Sequence, residues 1–225
     1  MKKTIKYAMF AMIYFAQGSI MSFFTALNAL YLQSFGLGMG KIGIIGTIGM
    51  IPFVIKIFFG MLSDKVNFFE FGNRKPYIFI GLIIQAVSLM VAPTIDPAKD
   101  FWRYALLAFI MMSGMALYDT CTDGLALDTT PEEEEGLIQG FMVGGRAAGM
   151  VVVSVMLGLV VQNISWTAGF YSLAIVTILP VPLVLAFQKT KTTSDKLFDW
   201  KAFRCFRQPN VIGLGIFGAL YSFII

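Results

Sequence analysis

Histidine is absent from this chain, and cysteine occurs only as Cys121 and Cys205. The first absence excludes a histidine-ligated metal site, an HExxH zinc protease and any histidine-based triad. Two isolated cysteines form neither a disulfide framework nor a metal cluster. Charge is scarce too: 13% of the residues are charged, against about 25% in soluble domains. The net charge of +4 is not a nucleic-acid footprint, because the basic residues gather in segments between apolar runs. No metal, cofactor or catalytic residue is expected.

What fills the chain is apolar. Hydrophobic residues make up 57% of it and mean hydropathy is +0.77. A soluble domain of this size could not expose so little charge and stay dispersed. The pattern is that of an all-α membrane protein in contact with the lipid bilayer. Apolar runs of about 20 residues, the length that crosses a hydrocarbon core, lie at Tyr7–Leu32, Ile42–Leu62, Tyr77–Ala92, Tyr104–Leu127, Leu137–Val161 and Thr167–Phe187. A seventh run begins near Val211. Met1-Lys2-Lys3 resembles the start of a signal peptide, but the apolar run after it is too long and lacks a small-residue cleavage site, so it reads as a retained helix.

Three regions are expected. Residues 1–187 form an N-terminal six-helix transmembrane bundle, 188–210 a cytoplasmic interdomain loop with an amphipathic surface helix, and 211–225 the truncated start of a seventh helix. In the loop, Leu197, Phe198, Trp200, Phe203 and Phe206 interleave with Lys196, Lys201, Arg204 and Arg207, which suits a membrane surface. The chain ends inside an apolar run, so a missing C-terminal bundle is expected, from the same full-length chain or from a partner chain. Basic residues orient the helices. An inside N-terminus puts Lys2, Lys3, Lys6, Lys65, Arg74, Lys75, Lys189, Lys191, Lys196, Lys201, Arg204 and Arg207 in the cytoplasm, and only Lys41, Lys99 and Arg103 outside. A multi-pass protein of the plasma membrane or bacterial inner membrane, with a cytoplasmic N-terminus, is the expectation.

Three charges within the apolar runs lie at a common depth: Lys56, Asp119 and Arg146. Counted at 1.5 Å per residue, they lie roughly 6, 5 and 4–5 Å to the cytoplasmic side of their helix centres. A charge at that depth costs on the order of 2.5–3.5 kcal/mol and marks a functional site by default. Asp123 stands four residues after Asp119 and shares its face, whereas Asp128 is nearly half a turn away in phase and reads as a helix terminus. Opposite charge and common depth predict an Asp119–Arg146 pair. An aspartate whose cation can move away is a candidate proton carrier; the alternative is a static ion pair holding helices together. In the first helix Tyr14, Gln17, Gly18, Ser22, Thr25 and Asn28 form a polar stripe that either faces a cavity or hydrogen-bonds a neighbouring helix.

Local patterns carry packing expectations. Thr130-Pro131-Glu132-Glu133 predicts an N-cap, a first-turn proline and a capping box closed by Glu133, with Glu132–Glu135 at the positive end of the helix dipole. Gly43, Gly46 and Gly49, and the pairs Gly140/Gly144 and Gly145/Gly149, predict close helix approach.

The loop after the second helix reads Gly60-Met-Leu62-Ser-Asp64-Lys65, then Gly72-Asn-Arg74-Lys75 after the insertion Val66–Phe71. Here the chain resembles the major facilitator superfamily, whose signature loop is Gly-x-Leu-x-Asp-Arg-x-Gly-x-Arg-Arg/Lys. The resemblance implies the N-terminal six-helix bundle of a 12-helix fold, two inverted three-helix repeats and transport by alternating access. It implies a cytoplasmic gate at Gly60, Asp64, Lys65, Gly72, Arg74 and Lys75. Within the superfamily, Tyr14-Phe-Ala-Gln17-Gly18 and Asp119-Thr-Cys-Thr-Asp123-Gly-Leu-Ala-Leu-Asp128 resemble AmpG-type muropeptide permeases, with similar segments in acetyl-CoA and folate–biopterin transporters. The implied function is a permease for a small polar solute, proton-coupled, with no enzymatic activity. Gln17, Lys56, Asp119, Asp123 and Arg146 are the candidate substrate and coupling-ion residues. Arg74-Lys75-Pro76-Tyr77 is also similar to sodium-coupled glycoside symporters, but those carry acidic residues in the second helix where this chain has Lys56. A non-transporting scaffold that needs a partner is the remaining alternative. Tyr118-Asp119 matches one motif of intramembrane aspartyl proteases, but the second, Gly-x-Gly-Asp, does not occur.

Overall fold

A computed structural model describes residues 3–65 and 74–187, together with 208, 209, 212 and 213. The chain divides into two compact units, Met1–Thr192 and Thr193–Ile225. In the second, the Ile212 N–H donates to the Gln208 carbonyl at 3.0 Å. Apart from residues 208, 209, 212 and 213, the expected interdomain loop and seventh helix lie outside the described residues.

The first unit holds six helical spans long and apolar enough to cross a membrane: Lys3–Ser34, Met39–Ser63, Lys75–Thr94, Phe101–Thr129, Glu132–Asn163 and Trp166–Ala186. No strand occurs among the described residues. All six expected runs are present; the first five are lengthened at one or both ends, and the sixth is shifted by one residue, to Trp166–Ala186. Local chemistry ends the spans. Gly36 takes φ +77°, its N–H reaches the Gln33 carbonyl at 2.8 Å, and the Leu37 N–H reaches the Leu32 carbonyl at 3.3 Å. This is a Schellman stop, in which glycine adopts the left-handed conformation without a Cβ clash. The Ser165 side chain caps the sixth span by accepting from the Ala168 N–H at 3.1 Å. Between spans three and four the carboxyl of Asp96 accepts from the N–H groups of Ala98 and Lys99, at 2.9 and 3.3 Å. Burial pushes that carboxyl up, but these bonds and the Lys99 ammonium outweigh it and hold it below the usual carboxylate range.

The expected capping box does not form. A 3₁₀ turn at Glu132–Glu134 intervenes before the fifth helix. The Thr130 hydroxyl is turned into the protein, buried and without a partner among the described residues. Glu134, not Glu133, is the engaged carboxylate: it accepts from Lys3 and from the Tyr7 hydroxyl, tying the start of the first span to the start of the fifth.

The first span packs most extensively on the fifth, and the third on the fourth. Glycines set both interfaces. A Cβ on Gly18 would overlap the Arg146 carbonyl oxygen; on Gly145 and Gly149 it would overlap the carbonyls of Ala11 and Phe15. Gly81 and Gly114 oppose each other in the same way, with a Cβ on either 2.6–2.7 Å from the other's carbonyl oxygen. The predicted stripes are therefore used only in part. Gly49 receives the Phe24 ring, but Gly43, Gly46, Gly140 and Gly144 have no atom near enough to meet a Cβ. At one end of the bundle Tyr31 makes ring contacts with Phe35, Tyr104, Trp166 and Phe170, which joins the first, fourth and sixth spans.

Two spans are irregular at mid-length. The first has a π-turn at Phe23–Leu27. The second is interrupted at Ile55 (φ −92°, ψ 4°), three residues after Pro52. Proline cannot donate to the carbonyl one turn back, which weakens the helix there.

Candidate functional site

Lys56 is the first residue after the interruption in the second span. Its ammonium lies 3.5 Å from Asp119 Oδ2 in the fourth span. The lysine side chain is 45% exposed and the aspartate 7%, so a half-open cation covers a closed anion. The Gln17 amide, from the first span, donates to the other Asp119 oxygen. Three spans thus converge on one carboxylate. One turn further along the fourth span, Asp123 accepts from the Tyr14 hydroxyl. The spacing Tyr14/Gln17 on one helix matches Asp119/Asp123 on the other, because i,i+3 and i,i+4 residues share a helix face.

The expected Asp119–Arg146 pair does not form. Lys56 occupies the reachable face of Asp119, and Arg146 makes no hydrogen bond or ion pair among the described residues. Its charge is nevertheless close enough to act on the hydroxyls of Tyr14 and Tyr118. Gly60, one turn beyond Lys56, rests on the fourth span: a Cβ there would lie 3.1 Å from Thr120 Cγ2. This keeps the second span close where the pair forms.

The stripe along the first span is divided by the π-turn, which adds a residue to the turn and rotates the remainder of the helix. Tyr14 and Gln17 face the carboxylates, and Ser22 bonds Ser154 in the fifth span. Thr25 turns outward and bonds its own helix at Met21, at 2.8 Å. Asn28 points to a different neighbour, accepting from the Tyr104 hydroxyl at 2.9 Å. Six residues at helical spacing therefore do not line one cavity.

The loop motif is partly visible. Asp64 and Lys65 close the second span's helix, while Gly72 lies outside the described residues. Arg74 Nε donates to Asp128 Oδ2 at 2.8 Å, with its guanidinium resting where a side chain at Gly124 would stand. Asp128, read from phase as a mere terminus residue, is a counter-ion of Arg74. Lys75 donates to the Phe187 carbonyl at the end of the sixth span and lies over that ring at 5.8 Å. One end of the bundle is thus tied across the third, fourth and sixth spans.

Buried polar atoms without partners were not foreseen. Gln17 Oε1, both amide atoms of Gln85, and the hydroxyls of Tyr118 and Thr122 make no hydrogen bond among the described residues. The signal available in the sequence was Gln85 itself, a long polar side chain in the apolar third span. No group of three or more potential metal ligands occurs among the described residues.

A family model described as Major Facilitator Superfamily matches residues 8–225. A protein of the cyanobacterium Synechocystis named folate-biopterin transporter is 24% identical over 187 residues, covering 82% of this chain and 37% of its own length. A protein of Arabidopsis thaliana named probable folate-biopterin transporter 7 is 24% identical over 135 residues, covering 57% of this chain and 30% of its own. The chain spans about a third of the length of these relatives.

Proposed function

The chain belongs to the Major Facilitator Superfamily, and from that premise we propose that it is part of a proton-coupled permease for a polar solute, working by alternating access. Six apolar helices make it a multi-pass membrane protein. The distribution of basic residues supports a cytoplasmic N-terminus, in a plasma or bacterial inner membrane. Pterins are the first solutes to try, because the relatives are named for folate and biopterin.

The observation that carries the reading is the Lys56–Asp119 pair at a helix interruption, counted at roughly 5–6 Å from the centres of the two apolar runs. Broken helices at that depth expose backbone and mobile side chains where solute and coupling ion bind. Asp119 is the proton carrier: when the second span moves Lys56 away, the carboxylate accepts a proton, and when Lys56 returns the proton leaves. The Arg74–Asp128 pair and Lys75–Phe187 contact belong to a cytoplasmic gate that opens and closes with the same cycle. A second bundle, from the same full-length chain or from a partner, completes the cavity.

The test is uptake of radiolabelled folate and biopterin into liposomes holding the protein at its native length. A pH gradient, acid outside, is expected to drive accumulation, and a protonophore to abolish it. Asp119→Asn is expected to lose accumulation while keeping solute exchange. Accumulation that tracks a sodium gradient and ignores pH would overturn proton coupling and favour the glycoside-type symporters. No solute movement under any gradient would overturn transport.

A further inference from the structure

The four charges of the site are unequally provided for. Asp119 faces Lys56 and accepts from Gln17, and Asp123 accepts from Tyr14. Lys56 is engaged by Asp119. Arg146 alone among these four has no polar partner within the described residues. Its guanidinium offers five donors in a planar fork.

Nor is this an arginine that reaches the membrane surface. It stands at the middle of the span Glu132–Asn163, about 16 Å along the helix that begins at Glu135. Its backbone is held against the first span, since its carbonyl oxygen fills the space that a Gly18 side chain would need. Flanking contacts of Gly145 and Gly149 with Ala11 and Phe15 fix the same register. The arginine stem is therefore anchored beside Gln17, in a network whose two carboxylates are already taken. Its side chain is partly exposed, with the hydroxyls of Tyr14 and Tyr118 in its electrostatic reach.

We infer that Arg146 is the residue that docks an anionic group of the solute, a carboxylate or a phosphate, in a two-pronged N–H···O contact. The planar fork of guanidinium fits both groups. This inference rests on the transport reading and divides the site's labour. The paired charges, Lys56 and Asp119, respond to the proton, and the unpaired charge selects the solute. A neutral solute would leave the guanidinium without a counter-charge in the membrane and gains nothing from it.

The test compares three pterins by radioligand binding to the native-length protein in lipid nanodiscs: folate, which carries carboxylates; 6-hydroxymethylpterin phosphate, which carries a phosphate; and biopterin, which carries neither. Wild type is expected to bind one of the two anionic compounds at least about tenfold more tightly than biopterin. Whichever compound shows the preference identifies the anion. Arg146→Gln is expected to erase it. Arg146→Lys, which keeps the charge and loses the fork, should fall between, and serves alone if the glutamine variant does not fold. An anionic preference that survives Arg146→Gln, or a lysine variant equal to wild type, overturns the inference and leaves proton-driven transport standing. Biopterin bound more tightly than both anions by wild type does the same. Failure of all three to bind wild type overturns the inference and the pterin reading together.

Discussion

Groups from two other spans reach the buried carboxyl of Asp119, Lys56 at 3.5 Å and the Gln17 amide. Removing one partner of such a pair strands the other. Lys56→Met should therefore lower the thermal stability of the detergent-solubilised protein, and adding Asp119→Asn should restore part of it. A coupling energy of about 1–3 kcal/mol is expected from the double-mutant cycle. Additive single effects would mean that the two charges do not meet in the membrane. Glycines sort by the same close reading. Gly18→Ala and Gly149→Ala drive a methyl into backbone carbonyls, and each should cost about 1–3 kcal/mol by thermal unfolding. Gly140→Ala and Gly144→Ala meet open space, so they should be neutral or slightly stabilising, since alanine favours helix. From the sequence Gly140, Gly144 and Gly149 read alike, as members of small-xxx-small pairs, and Gly18 reads only as part of a polar stripe. Spacing identifies a stripe, but only the neighbouring helix decides which stripe is used.

At the scale of the element, the two irregular turns decide what the site contains. The π-turn at Phe23–Leu27 sends Thr25 outward and aims Asn28 at Tyr104, so a stripe drawn at 3.6 residues per turn fails beyond it. Nothing in Phe-Phe-Thr-Ala-Leu marks a π-turn, because it arises from fitting the span to its neighbours. The interruption at Ile55 was more legible, since Pro52 stands in the run. Its consequence was not: it sets Lys56, rather than Arg146, against Asp119. Pro52→Ala returns a hydrogen-bond donor to the second span and should straighten it. The expected outcome is a thermal midpoint equal to or above wild type, with proton-driven uptake reduced about tenfold or more, because small displacements of reacting groups are costly. Unchanged uptake with a straightened helix would show that the interruption has no part in the cycle.

For the whole molecule, orientation is the property that the arrangement of basic residues predicts most directly. In a background lacking Cys121 and Cys205, Ala98→Cys should react from outside intact cells with a membrane-impermeant maleimide. Glu132→Cys should react only after the membrane is opened. Both positions are exposed, so access and not burial controls labelling, and the reverse pattern would invert the topology. The bundle also shows why the two classes of interaction play different parts. Glycine contacts and aromatic clusters hold spans one to five, three to four, and one to four and six. The ion pairs that join different spans lie in mid-span and at one end, where Arg74 meets Asp128 and Glu134 meets Lys3. A transport cycle can break the second kind without dissolving the first.

The sequence by itself determined that this is a helical membrane protein, how many spans the first unit holds, where each lies, and that Lys56, Asp119, Asp123 and Arg146 are its intramembrane charges. These properties come from run length, periodicity and the cost of a charge in hydrocarbon, all of which act within one helix. Which charge meets which was decided only by tertiary structure. Partner choice depends on the rotation, break and close approach of separate helices, and a single glycine or an extra residue in a turn changes these by more than the reach of an ion pair.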